Sequence, residues 1–308
     1  MKRFYFKLLM FALIVAAMDL GYGIFFDHYR RSTQSGLTHT DHMAAEVTEA
    51  PVIIFGSSRA WRHYDSRIIT DSLGAGAYNC GYNSMGIDFF LPRLRQMLNR
   101  YTPQLIIYDI TPLYDLMVSE SWPVTLSNLK PHFFDPAVYS NVRERDYAEW
   151  IKCHSAFYRL NKKLKKIYSD RNSTQELHMG YAPLNGNKNT KGQPSIKITK
   201  HKAMTPDPAK LAMVEEFINI CESRNISLVF VLSPYYKNDM GEQAKVLRPI
   251  ADRHGIQVID HFNDSTFTQD STLYWDQPHL NSKGAAMFTR TIVSELGCKD
   301  RIRKRNKR

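Results

Sequence analysis

The chain has 308 residues, 43% of them hydrophobic and 23% charged, with a formal net charge of +11. That composition belongs to a globular protein with a sizeable core and excludes wholesale disorder and fibrous repeats. The charge sits at the ends: residues 299–308 hold a net six positive charges and Lys2, Arg3 and Lys7 three more, so the body is close to neutral and does not read as a nucleic-acid-binding face.

In chain order, Lys2, Arg3 and Lys7 precede an unbroken apolar run over residues 8–18, and apolar character resumes after Asp19. A positive region ahead of an apolar stretch is the pattern of an export signal. Residues 4–26 together are long enough to cross a bilayer if Asp19 sits near an interface or is paired. Residues 1–31 are therefore expected to be an uncleaved signal anchor. Cleavage after Ala17 is the rival reading, disfavoured because the apolar character continues past the cut. Positive charge ahead of the span keeps the amino end inside and exports the body, giving a single-pass protein with its main domain on the periplasmic or extracellular side. Arg30 and Arg31, just past the span, weaken that bias.

Residues 32–50 are polar and short-sided and read as a linker. Its His39 and His42 are metal-ligand types without a third ligand set nearby, so no metal site is expected there. Cys80, Cys153, Cys221 and Cys298 are widely spaced and form no CxxC pair, which excludes zinc ribbons and thioredoxin-like redox sites and leaves buried thiols as the default.

From Pro51 onward, short continuous apolar runs alternate with helical patterns. Strands are expected at residues 52–55, 77–80, 105–110, 227–232 and 256–259, and helices at 66–73, 87–101, 208–224, 241–254 and 282–296. Such alternation implies βαβ units: an α/β fold with a mostly parallel central sheet covered by helices on both faces. Residues from about 113 to 207 break the pattern and read as a partly helical insertion over the strand ends, a candidate lid or substrate platform. It includes a basic helix over about 146–168 that carries Lys162, Lys163, Lys165 and Lys166, then a loop over 181–200. Residues 299–308 read as a solvated basic tail.

Three segments carry candidate chemistry. Gly56, Ser57, Ser58 and Arg59 follow the first strand. A serine presented there, at a glycine-assisted turn before a helix, suits a nucleophile, because helix N–H groups are at hand for an oxyanion. Taken alone, such a serine is more often a helix cap. Asp276 and His279, three apart before the last helix, are able to form a carboxylate–imidazole pair that takes the serine proton. Alone they read equally as a surface turn, with Asn281 or Ser282 capping the helix behind. Asn79, Cys80, Gly81, Tyr82 and Asn83 follow the second strand, where Gly81 permits close backbone approach and Asn83 offers a donor; a simple turn is the alternative. Arg59 is a candidate contact for an anionic part of a substrate, or a salt-bridge partner. His63 is an alternative base, with Asp65 a weak orienting carboxylate.

The order of these segments resembles the SGNH (GDSL-like) hydrolase superfamily, over about residues 51–112 and again 227–296, with the middle insertion outside the resemblance. The resemblance implies a three-layer α/β/α sandwich of flavodoxin-like type. It implies a Ser-His-Asp triad of Ser58, His279 and Asp276, and an oxyanion hole from Ser58 and Gly81, with no metal or organic cofactor. Two departures stand out. Ser57 replaces the Asp of the Gly-Asp-Ser motif, which makes Ser57 a rival nucleophile, although spacing from the strand favours Ser58. After the third strand, Thr111, Pro112, Leu113, Tyr114 and Asp115 contain no Asn, so the usual side-chain oxyanion donor is missing or replaced by Asn83. The implied function is a membrane-anchored serine esterase or O-acyltransferase acting on acyl, chiefly acetyl, esters of cell-envelope carbohydrate. The alternative is a catalytically degenerate envelope protein that binds glycan. Nucleic acid is not an expected partner.

Overall fold

The structure is a computed structural model that describes residues 1–161, 163–187, 204–236 and 240–296. Five strands form one sheet: β1 (Val52–Gly56), β2 (Ala77–Asn79), β3 (Leu105–Asp109), β4 (Ser227–Leu232) and β5 (Gln257–Asp260). Their order is β2-β1-β3-β4-β5 and every pairing is parallel. Three of the five, β1, β3 and β4, are apolar almost throughout, because a parallel strand covered on both sides has no solvent face.

The pleat divides these side chains between two cores. Ile53, Phe55, Ile106, Tyr108 and Phe230 pack under helices Ile87–Leu98 and Pro208–Ser223. Val52, Ile54, Leu105, Ile107, Val229 and Val231 face the other way, toward helices Ser66–Leu73 and Ser282–Glu295. The result is the expected three-layer α/β/α sandwich. Strand order reverses between β1 and β3, and the crevice beyond the carboxyl ends at such a reversal is where ligands of open α/β sheets bind. Gly56 and Asp109 stand opposite each other there.

The helix expected over 241–254 is a 3₁₀ stretch, Met240–Val246, followed by an α-helix, Leu247–Arg253. Pro249 explains the break: it lacks an N–H, so it fits only the first turn of an α-helix.

The segment read as a linker is folded. Residues Gly36–His42 are helical, and Asp41 is buried against Arg93 and against His132 at 2.7 Å. Burial alone would raise the Asp41 carboxyl; Arg93 and His132 outweigh it and hold the group well below the ordinary range. His39 Nδ1 meets the Thr33 carbonyl at 3.0 Å, so this histidine belongs to the local fold. Arg30 pairs with Asp27 and Glu46, joining the N-terminal helix Lys2–Arg31 to this layer.

The insertion also differs from expectation. Its basic stretch is three short helices, Tyr147–Lys152, Ala156–Leu160 and Lys163–Arg171, since Asp146 and Ser155 accept backbone N–H groups and start new helices. Several of the insertion's helices pack on Ile87–Leu98 and on the N-terminal helix. Part of it meets the site edge: Ala182 N–H donates to the Trp61 carbonyl and Asn79 N–H to that of Met179. Cys80, Cys153 and Cys221 are buried free thiols. Lys162, residues 188–200 of the loop expected over 181–200, Cys298 and the tail at 299–308 lie outside the described residues.

Candidate active site

The turn after β1 is built around Gly56. Its φ is +134°, and a Cβ there would lie 2.5 Å from the Asp109 carbonyl oxygen and 2.9 Å from Ala60 Cβ. Only glycine allows the chain to leave the strand this close to β3. Ser57 follows in extended conformation, 2% exposed. Ser58 begins helix Ser58–His63 and is half-buried. Its hydroxyl meets His279 Nε2 at 2.8 Å. Of the two serines, Ser58 is the one brought to an imidazole.

His279 arrives from the far end of the chain on a short hairpin. Trp275 N–H donates to the His279 carbonyl at 2.8 Å, and Tyr274 bridges Leu280. Asn281 caps the final helix by accepting Gly284 N–H at 3.0 Å and donating to the Thr272 carbonyl at 2.7 Å. Asp276 Oδ1 accepts His279 Nδ1–H at 2.7 Å and His279 backbone N–H at 3.1 Å. With Nδ1 carrying the proton, Nε2 has a lone pair for the Ser58 hydroxyl. Hydroxyl, imidazole and carboxylate thus form one hydrogen-bonded line, on groups 221 residues apart in sequence.

No family model matches the sequence, and no curated protein does either. Solved structures do. The chain is similar to an acetyl xylan esterase at 12% identity, with 80% of this chain and 99% of that one covered and a TM-score of 0.41. It is similar to a protein from Bacteroides fragilis assigned as an acylhydrolase, at 10% identity, 84% and 96% coverage and a TM-score of 0.43. It is also similar to a protein from Desulfitobacterium hafniense assigned to the G-D-S-L lipolytic family, at 13% identity, 79% and 97% coverage and a TM-score of 0.37.

Other expected site residues have different surroundings. Gly81 N–H is engaged by Asn79 Oδ1 at 2.9 Å, inside the turn. The glycine is required for another reason: a Cβ there would lie 2.5 Å from Trp61 N, on the backbone of the serine's helix. Asn83 is half-buried beside Ser84, whose φ is +59°, and its carboxamide oxygen is buried without a partner. Arg59 is 2% exposed. Its guanidinium donates to the Ser233 and Ile110 carbonyls at 3.0 Å each and to Thr111 Oγ1 at 3.3 Å, a strut between the ends of β3 and β4. Asp109 adds a second tie by accepting from Ser233 N–H and Oγ; its burial raises the carboxyl, and Arg59 and Ser233 counter that in part.

His63 is not placed as a base. It is fully buried, and its Nε2 accepts the Leu280 N–H at 3.0 Å. Burial, then His279 and Arg59, keep it well below the ordinary histidine range and hence neutral. Asp65 is turned away and caps its own helix through Arg67 N–H. After β3, Asp115 Oδ2 accepts Thr111 N–H at 2.7 Å and Oδ1 accepts Tyr108 O–H at 2.6 Å. Burial pushes Asp115 up to about 7, against the Tyr108 and Thr111 bonds.

Two residues were missed by sequence reasoning. Asn79 is buried, and its Nδ2 donates to the Ala60 and Tyr64 carbonyls at 2.7 and 3.0 Å, closing the end of the serine's helix. Arg62 stacks on Trp61 with 4.0 Å to the ring centroid and donates to the Ala182 carbonyl at 3.0 Å. Burial brings Arg62 down to about 10, while Tyr181 and Asp276 favour its charge. Arg62 falls one turn after Ser58, and that spacing was the available signal.

Proposed function

We propose that the chain is a serine esterase or O-acyltransferase of the SGNH superfamily, exported and anchored by its N-terminal helix, acting on acyl esters of cell-envelope carbohydrate. Residues 51–298 form the hydrolase-like domain, with the insertion at about 113–207. The observation that carries this reading is the line from Ser58 Oγ to His279 Nε2 at 2.8 Å and from His279 Nδ1 to Asp276 at 2.7 Å. A serine hydroxyl is a weak nucleophile near neutral pH, and a positioned base contributes roughly 10²–10⁴ in rate. The carbohydrate class, and acetyl as the acyl group, come from the resemblance to the superfamily.

In this reading Ser58 Oγ attacks the ester carbonyl as His279 Nε2 takes its proton. Asp276 holds the imidazole and stabilises its charge. The oxyanion is met by Ser58 N–H and the Asn83 carboxamide; Gly81 N–H is committed to Asn79. His279 then protonates the leaving alcohol, and an acyl-Ser58 intermediate forms. Water or a sugar hydroxyl, deprotonated by His279, accepts the acyl group and frees the serine. The aligned groups favour this chemistry over a degenerate glycan-binding protein.

A fluorophosphonate probe, which reacts with activated serines, tests the reading. Wild type and Ser57→Ala should be labelled and Ser58→Ala should not. Equal labelling of wild type and Ser58→Ala would overturn it.

A further inference from the structure

The N-terminal helix Lys2–Arg31 is the one helix among the described residues long and apolar enough to cross a membrane. Fifteen residues separate Phe4 from Asp19, about 22 Å along the axis at 1.5 Å per residue. That is less than the ~30 Å hydrocarbon core of a bilayer. The exposed apolar surface continues past Asp19 through Leu20, Ile24 and Phe25, which brings the run to the required length. Asp19 therefore falls inside the apolar layer, short of its outer edge, where a bare carboxylate is costly.

The structure shows how that carboxylate is satisfied. Asp19 Oδ1 accepts Ser155 Oγ–H at 2.7 Å and Phe157 N–H at 2.8 Å, and Oδ2 accepts Ala156 N–H at 2.8 Å. It caps helix Ala156–Leu160 of the insertion. Tyr22 stacks on Phe157 at 4.7 Å between ring centroids, and a Cβ on Gly23 would already lie 3.2 Å from Ala156 Cβ. The start of this insertion helix is thereby fixed at the depth of Asp19. Around it the insertion exposes large apolar side chains: Phe157 at 43%, Ile151 at 54% and Phe134 at 62%.

We propose that this rim of the insertion is a membrane-contacting surface that sits in the outer leaflet beside the anchor helix. The domain is then held against the bilayer in a fixed pose and does not swing on a tether. The lipid bilayer is the partner because Phe157 of this rim stacks on Tyr22 of the apolar helix, and the rim is tied to that helix at Asp19, a measured point along its axis. The proposal rests on the membrane-anchor reading above.

The test uses the full chain in phospholipid nanodiscs that contain a radiolabelled lipid. A photo-crosslinking phenylalanine analogue replaces, singly, Leu13, Phe157, Ile151 or Met287, the last being an exposed residue of the final helix. Lipid adducts at Leu13, Phe157 and Ile151, with none at Met287, are the expected result. Adducts at Leu13 with Phe157 and Ile151 no higher than Met287 would overturn the rim and leave the anchor standing. Absence of adducts at Leu13 would overturn the anchor, and the rim with it.

Discussion

The imidazole of His63 accepts the backbone N–H of Leu280 at 3.0 Å, so one buried histidine grips the peptide immediately after the other, His279. The two rings lie edge to face with centroids 6.4 Å apart. His63 accepts through Nε2 and so must remain neutral, as its burial dictates. In the proposed mechanism its part is to position: it holds the loop that carries His279 toward Ser58.

His63→Phe keeps the ring volume but leaves a buried N–H unpaired, which costs about 1–3 kcal/mol. Should that cost appear as displacement of His279, kcat for p-nitrophenyl acetate falls roughly ten- to a hundredfold while KM changes little. His63→Gln retains an acceptor oxygen and should recover part of the loss. A lower melting temperature with kcat unchanged in both variants would reduce His63 to a packing role.

Asp276 accepts both the ring N–H and the backbone N–H of His279, so it sets tautomer and orientation together. Asp276→Asn removes the charge that stabilises the imidazolium and offers an amide that competes for the wrong tautomer. For a serine triad the expected loss in kcat is about three to four orders of magnitude, with the fold intact by circular dichroism. Activity within tenfold of wild type would remove Asp276 from the site.

Much of this was legible in the sequence, for identifiable reasons. Parallel strands buried on both faces appear as apolar runs, and β1, β3 and β4 do so plainly. Ser58 and the Asp276–His279 pair were legible only together, because order along the chain was the signal and neither half was distinctive. The 32–50 segment was misread because its burial depends on partners far away: Asp41 looks solvated until Arg93 and His132 are placed beside it. Arg59 was misread for a related reason, as its hydrogen bonds go mainly to backbone carbonyls at the ends of β3 and β4, and carbonyls leave no trace in residue identity. The same holds for Gly81, whose close neighbour Trp61 comes beside it only once β2 pairs with β1.

The Asp115 carboxyl gives a pH dependence with a definite sign. Unfolded, it ionises near its ordinary value of 3.8; folded, burial holds its proton to about 7. Between those values the native state binds more protons than the unfolded state, so stability contributed by this group falls as pH rises through the window. One pKa unit corresponds to about 1.36 kcal/mol, which bounds the effect at ~4 kcal/mol. Asp115→Asn removes the titration, and the Tyr108 hydroxyl is able to accept from the new amide. Urea midpoints of wild type minus those of Asp115→Asn should therefore decline between about pH 4 and 7 and level off above. A difference that is flat across that range would mean that Asp115 is ionised in the native protein.

Gly81 and Gly76 flank β2 and make a matched pair for testing how closely the second strand's turn presses on the serine's helix. A Cβ at Gly81 meets Trp61 N at 2.5 Å, Trp61 Cα at 2.9 Å and Ala60 C at 3.0 Å, all backbone atoms with no rotamer to give way. A Cβ at Gly76 meets only Pro51 Cδ at 3.7 Å, an ordinary contact. Gly81→Ala should therefore push helix Ser58–His63 outward, costing about 1–3 kcal/mol of stability. The move also carries Ser58 away from His279, and near-attack geometry is sensitive to displacements of an ångström, so kcat should fall by roughly a hundredfold. Gly76→Ala should leave both melting temperature and kcat close to wild type. Equal melting temperatures and rates for the two variants would show that the turn after β2 does not set the position of the serine.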